Sequence, residues 1–287
     1  MIEQLTLIGP GLITGSLALA LKQAGAVQRV TAWARRQETI DQALASNVID
    51  SGSTDMAEAI QDASIVVLGT PVGAMAEVLE QLKPHLTDEM ILTDVGSTKG
   101  SVVEAARQSL GTLPATFIPA HPIAGTEKSG VGAAFAELYQ GRRIILTPVD
   151  ETNEASLSAV SSMWEQCGAE VISMGVEHHD EVLAATSHLP HMLAYALVDT
   201  LARMDESEEI FEYAAGGFRD FTRIASSNPD MWHDICIANK EALLSVLHRF
   251  SEDLNQLTRA IEQGDSAYLL DTFARAKGAR DRFAEKF

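Results

Sequence analysis

The sequence predicts an α/β fold in two parts: a parallel-sheet domain over residues 1–175 and an all-helical domain over residues 176–287. Three observations lead there. Gly9-Pro10-Gly11 stands between the apolar run Leu5-Thr6-Leu7-Ile8 and the helix-forming run Leu17-Ala18-Leu19-Ala20-Leu21. Short β-rich apolar runs then alternate with helix-like segments, the pattern of βαβ units around a largely parallel sheet. After about Met174 the strand signals stop, and from Glu181 onward apolar residues recur at helical spacing.

The expected strands are the runs at 5–8, 29–33, 64–69, 90–95, 116–119, 144–147 and 170–173. Ser64-Ile65-Val66-Val67-Leu68-Gly69 is apolar on both faces, as a central parallel strand covered by helices on both sides must be. At the first turn, the second glycine lets a backbone approach a pyrophosphate, and the helix that follows offers unpaired N–H groups and a partial positive charge. Gly9, Gly11, Leu12 and Ile13 are therefore the candidate cradle of a Rossmann-like dinucleotide-binding domain, although a plain turn also fits the two glycines. The third glycine of Gly-x-Gly-x-x-Gly is absent, since Thr14 occupies its place and Gly15 comes one residue late.

The end of the second strand decides the cofactor. An acid ~20 residues past the glycines reads a ribose 2′-hydroxyl, and an arginine there accommodates a 2′-phosphate. Here the chain reads Trp33-Ala34-Arg35-Arg36-Gln37, with no carboxylate before Glu38. Arginine pairs bidentately with phosphate, so Arg35 and Arg36 point to NADP as the preferred cofactor, with NAD as the second option and a solvated basic turn as the plain alternative. Ala34 is expected to leave room for the phosphate.

In the helical part, Ala238, Ala242, Leu243, Val246, Leu247, Phe250, Leu254 and Leu257 form an apolar stripe. Breaks are expected at Gly216-Gly217, Ser226-Ser227-Asn228-Pro229 and Gly264-Asp265. Long apolar helices of this kind commonly complete their core against a second copy, so a homodimer is expected.

At 287 residues the chain is long enough for two domains, and 21 Lys+Arg against 40 Asp+Glu give a net charge of −19. That field repels nucleic acid and anionic membranes, so neither is an expected partner, and an anionic ligand needs local cations. Cys167 and Cys236 form no Cys-x-x-Cys, which fits a reducing cytoplasm and no thiolate metal site. No apolar run approaches the ~20 residues of a membrane span.

The ends of later strands in such a sheet face one crevice. Thr70-Pro71, Asp94 through Lys99, and His121-Pro122-Ile123-Ala124-Gly125-Thr126-Glu127 are brought there by topology. A histidine at that place can take or give a proton near neutral pH, and a neighbouring hydroxyl can orient it. In the helical part, His188 and His191 of Ser187-His188-Leu189-Pro190-His191 share a helical face, but no third ligand accompanies them, and no metal is expected. Pro190 suggests a bend or a first turn. Arg219 and Arg223 sit one helical turn apart, as a carboxylate clamp or as a salt bridge with Asp220 or another acid. His178 and His179, beside Asp180, read as an exposed connection.

Taken in order, Gly9 through Ser16, Asp94 through Lys99, His121 through Gly130, Ser187 through His191, Gly217 through Arg223 and Asn228 through Trp232 closely resemble the prephenate/arogenate (cyclohexadienyl) dehydrogenase family of tyrosine biosynthesis. The resemblance covers nearly the whole chain. It implies a nucleotide-binding domain, a helical substrate and dimerisation domain, and an active site in the cleft between them. It further implies oxidative decarboxylation of a cyclohexadienyl substrate by hydride transfer to NAD(P)+. By that resemblance His121 is the proton acceptor, Ser97 the hydroxyl bridging substrate and cofactor, and His191 the second active-site histidine. Arg223 is the guanidinium on a substrate carboxylate, Thr126, His188 and Trp232 are further substrate contacts, and Thr70 and Pro71 join the cofactor set.

Two departures stand out. Thr14 replaces the family glycine, which questions how closely the first helix packs at the pyrophosphate, and Ala34-Arg35 replaces the acid of NAD-using members. The alternatives are another hydride-transfer dehydrogenase or reductase of the same build, for which Lys240 is the available helical lysine, and a non-catalytic dinucleotide sensor.

Overall fold

A computed structural model describes residues 1–205 and 207–284. Position 206 and positions 285–287, inside the expected helical segment, lie outside the described residues.

The first part runs β1 (Ile2–Ile8), α1 (Leu12–Gln23), β2 (Val27–Trp33), α2 (Gln37–Ala45), β3 (Ser51–Ser53), α3 (Met56–Ile60), β4 (Ile65–Leu68), α4 (Met75–Leu82), β5 (Ile91–Asp94), α5 (Lys99–Leu110) and β6 (Phe117–Ile118). The strands form a parallel sheet in the order β3-β2-β1-β4-β5-β6. Alternate residues of each strand feed opposite faces. Leu5, Leu7 and Val67 pack with Leu17, Leu21 and Trp164, whereas Ile8, Val66, Leu68 and Leu92 pack with Val78, Leu79 and Val102. Helices on both faces account for strands without a polar side.

One residue after β6 the chain enters a second sheet made of β7 (Ala120–Pro122), β8 (Arg143–Leu146) and β9 (Glu170–Ser173), with α6 (Glu154–Glu165) before β9. β7 runs antiparallel to β8, and His121 lies opposite Ile145. The histidine is thus inside a strand of its own rather than beyond the end of the 116–119 run. Strands β3 and β7 carry no apolar alternation and are absent from the sequence expectation.

Helical structure follows: α7 (Val176–Leu183), a π turn (Ala184–His188), α8 (Leu189–Ala202), α9 (Ser207–Glu212), α10 (Gly216–Thr222), α11 (Pro229–Ala238), α12 (Lys240–Gln263) and α13 (Ser266–Ala284). The expected breaks coincide with helix ends. Gly216 opens α10, the Asn228 side chain accepts the Met231 N–H at 3.0 Å to cap α11, and Gly264 adopts φ +66° after α12. Pro190 lies where the π turn passes into α8 within one continuous helical run, at a place where the regular hydrogen-bond ladder is already interrupted.

By contact density the chain divides into Met1–Lys240 and Glu241–Phe287. Within the second unit Leu243 and Ala260 are buried, while Leu254, Ile261, Leu270 and Phe273 are exposed.

Candidate active site

The nucleotide cradle forms where the order of the sheet reverses, between β1 and β4. Gly9 takes φ +89°, a conformation other residues rarely adopt, and a Cβ there would come within 3.1 Å of the Thr70 methyl. A Cβ on Gly11 would meet nothing within 4 Å, so the space over the N-terminus of α1 is open to a ligand. The first-turn amides of Leu12 and Ile13 lack intrahelical acceptors by helix geometry. These features fit a dinucleotide pyrophosphate. The Thr70 hydroxyl, just after β4, is buried without a partner among the described residues, and Pro71 beside it is exposed.

Thr14 does not loosen this turn. Its hydroxyl donates to the Gly9 carbonyl at 2.9 Å and accepts the Gly11 N–H at 3.1 Å, closing the loop on itself. The close approach has moved to other glycines: a Cβ on residue 69 would clash with the Thr14 side chain, and one on Gly15 would lie 3.0 Å from Ala134 Cβ. Arg35 and Arg36 are exposed after β2, and neither forms an ion pair among the described residues. Ala34 corrects the expectation of room for a phosphate, because it is 5% exposed and belongs to the core.

The proton-handling cluster is built across β5, α5, β7 and α7. His179 was expected on an exposed connection, yet its side chain is fully buried on α7, while His178 on the other face is exposed. Asp180 accepts the backbone N–H groups of Lys99 and Gly100, both at 2.8 Å, and so caps α5 from a distant helix. Gly100 is needed there, since a Cβ would sit 2.9 Å from Asp180 Oδ2. Asp180 Oδ1 lies 2.8 Å from His179 Nδ1, and His179 Nε2 lies 2.8 Å from His121 Nδ1.

With Asp180 ionised, these distances set the tautomers of His179 and His121. The Asp180 carboxyl is held below its usual range, against burial, by the His179 and backbone hydrogen bonds, so it is an acceptor only. His179 then donates from Nδ1 and accepts at Nε2. His121 must donate from Nδ1, which leaves its Nε2 lone pair without a partner among the described residues. Burial first, then the neighbouring charges of His179, Lys99 and His188, holds His121 well below the ordinary histidine value and therefore neutral.

The π turn and α11 supply a second group of side chains. A π turn widens the helix by one residue and often marks functional sites. The Nδ1–H of His191 donates to the Ser187 carbonyl at 2.9 Å, so its Nε2 is an acceptor. His188 has the opposite tautomer. Asn239 Nδ2 donates to the Asp180 carbonyl at 2.8 Å and to His188 Nδ1 at 3.1 Å, which puts the His188 proton on Nε2. Burial keeps His188 neutral, with its pKa drawn down to about 4. Trp232 stacks on His191 with ring centroids 3.7 Å apart and meets His188 edge-on. The Nε2–H of His188 and the Nε1–H of Trp232 are buried donors with no acceptor among the described residues.

Gly73 brings α11 to the nucleotide side, because a Cβ there would lie 2.7 Å from the Asp234 carboxylate. Arg223, at the end of α10, pairs with Glu127 of the loop after β7, and Thr126 in that loop accepts the Lys128 N–H. Ser97, between β5 and α5, is half-buried. His179, Asp180, Lys99 and Asn239 are the residues that sequence reasoning missed. The one signal for them was the Asp94-to-Lys99 motif, in which Ser97 had an expected role and Lys99 had none.

A doubly wound sheet with an open glycine turn at its switch point, joined to a buried neutral histidine with a free lone pair, defines a nicotinamide-dinucleotide dehydrogenase. Family models described as "Prephenate dehydrogenase, nucleotide-binding domain" and "Prephenate dehydrogenase, dimerization domain" match residues 17–173 and 175–275. The chain belongs to the prephenate dehydrogenase family. It is 39% identical to a cyclohexadienyl dehydrogenase of Zymomonas mobilis over 97% of this chain and 95% of that protein. A crystal structure of prephenate dehydrogenase from A. aeolicus with hydroxyphenyl propionate and NAD+ is 36% identical, with TM-score 0.91 over 99% of both chains. An arogenate dehydrogenase structure from Synechocystis is 30% identical, with TM-score 0.81 over 98% of this chain and 99% of that one.

Proposed function

We propose that this chain is an NADP-preferring member of its family, working as a cytoplasmic homodimer with His121 as the proton acceptor. The chain is an oxidoreductase of tyrosine biosynthesis, and its reaction is the oxidative decarboxylation of prephenate, arogenate or both. The observation that carries the reading of the base is the run of hydrogen bonds from Asp180 through His179 to His121, which leaves a lone pair at His121 Nε2.

When bound, the dinucleotide supplies the hydride acceptor. Removing hydride from the ring carbon that bears the hydroxyl requires that hydroxyl's proton to leave, and His121 Nε2 accepts it. Ser97 orients the hydroxyl, and His191 offers a second acceptor across the ring. Arg223 takes a substrate carboxylate, with Thr126 in the adjoining loop. His188 and Trp232 offer N–H donors that lack acceptors among the described residues. Loss of CO2 follows from aromatisation, so the protein need only position the ring.

Gly9, Gly11, Leu12 and Ile13 hold the pyrophosphate, Thr70 and Pro71 line the nicotinamide side, and Arg35 and Arg36 receive the 2′-phosphate. The functional division falls at 1–175 and 176–287. Contact density gives a different boundary, after Lys240, because α7 and α11 pack onto α5 and onto the turn after β4. Apolar side chains exposed on α12 and α13 support pairing with a second copy. No described helix is long and apolar enough to cross a membrane.

Steady-state kinetics with both substrates and both cofactors, read from the near-ultraviolet absorbance of the reduced cofactor, tests this reading. Cofactor binding without turnover on either substrate contradicts it.

A further inference from the structure

Lys99 is the largest charged side chain fully buried in the chain, and none of the reaction steps above uses it. Its ammonium donates to Asp94 Oδ2 at 2.5 Å and to the Ala120 carbonyl at 2.6 Å. Asp94 Oδ1 in turn accepts the Ala120 N–H at 3.0 Å, and its Oδ2 also accepts the Gly96 N–H at 2.7 Å. Both backbone polar groups of the residue before His121 are therefore held by one buried ion pair. The backbone N–H of the same lysine donates to Asp180 Oδ1, the oxygen that fixes His179.

We propose that Lys99 is the positioning residue of the base: its ammonium fixes where the His121 backbone lies, and its amide anchors the carboxylate that sets the His121 tautomer. A buried ion pair is a poor source of stability, since desolvation offsets most of the attraction. Its retention is explained by what it orients. The charge of the ammonium also acts on the imidazole and disfavours a second positive charge there. The other titratable groups around His121 are His179 and Asp180 from α7, Asp94 from β5 and His188 from the π turn. Burial draws the ammonium below the ordinary lysine value, and Asp94 opposes that shift.

The proposal rests on His121 being the proton acceptor, and its test reads the imidazole directly. Removing one partner strands a buried charge, so the informative variant is the neutral pair Asp94→Asn with Lys99→Met, assayed as the full-length protein. With thermal midpoint and NADP affinity near wild type, kcat is expected to fall by about tenfold or more. The His121 imidazole, followed by NMR titration in the free protein, is expected to titrate at least about half a unit higher, and the acid limb of kcat/KM to move with it. A folded neutral pair with the wild-type imidazole titration and acid limb overturns the proposal. If that variant does not fold, wild-type protein decides: His121 titrating at the ordinary histidine value, or His179 protonated on Nε2, overturns it equally. Failure of the underlying assignment looks different, because His121→Asn would then keep its turnover whatever the titration shows.

Discussion

Arg223 is paired with Glu127, so a substrate carboxylate that reaches this guanidinium meets one that already belongs to the chain. Arg223→Ala is expected to raise substrate KM by roughly tenfold or more with little change in cofactor affinity, the loss of a charge-assisted hydrogen bond of ~1.5–3 kcal/mol. Glu127→Gln should act in the opposite direction. The pair is largely exposed, where such contacts contribute ~0–1 kcal/mol, so its release should lower KM by no more than about fivefold. Steady-state kinetics on the two variants checks both signs, and an unchanged KM in folded Arg223→Ala makes the pair a purely structural bridge.

His121→Asn should keep the fold and cofactor binding but lose ~10²–10⁴ in kcat, the usual contribution of a positioned acid-base group. In wild type the accepting form is the neutral imidazole, and its pKa is depressed. Activity should therefore hold as pH falls through the ordinary histidine range and decline only well below it. An acid limb of kcat/KM centred near the free-histidine value is the contrary result.

Cofactor preference should favour NADP by at least about tenfold in kcat/KM, as expected of a phosphate-guanidinium pair. Arg35→Ala should erode NADP use and leave NAD use nearly unchanged. To reverse the preference the acid belongs at the exposed position, as Arg35→Asp, because Ala34→Asp would bury a carboxylate in the core. Equal or better kcat/KM with NAD in the wild type returns the two arginines to a solvated turn.

Acid should destabilise the fold earlier than carboxylates alone would. His121, His179, His188 and His191 all have pKa values lowered chiefly by burial, so unfolding exposes imidazoles that bind protons more readily than the folded ones. Their contribution is complete above the unfolded histidine value and is lost as pH falls toward the folded ones. For His188, with a folded value of about 4, this amounts to about 3 kcal/mol. The thermal midpoint should drop between pH about 7 and about 5; a flat midpoint across that window argues against buried neutral imidazoles.

A homodimer is expected in dilute solution. Sedimentation at the mass of a single chain at micromolar concentration contradicts it.

Much of the fold was legible because its signals are local. The Gly9-Pro10-Gly11 turn, the two-faced strand around Val66 and the caps at Asn228 and Gly264 each depend on neighbours within a few residues. Ser51-Gly52-Ser53 and Ala120-His121-Pro122 escaped because strands of three residues show no alternation to read. The proton relay was illegible for a different reason. His178-His179-Asp180 looks like a solvated run, and only the docking of Asp180 on the start of α5 buries one histidine while leaving its neighbour in water. Lys99 could be placed near the crevice by its motif, but its enclosure by Asp94 and the Ala120 carbonyl depends on residues brought together only by the fold.

Asp180 meets the amides of Lys99 and Gly100 across 81 and 80 residues of chain. Contacts so distant in sequence form only after a long loop has been closed, at an entropic cost that turns and single helices do not carry. The directed lone pair of His121 thus depends on a contact between distant parts of the chain and not on the local structure of its own strand. A sheet formed without that contact would hold the histidine but not its fixed tautomer.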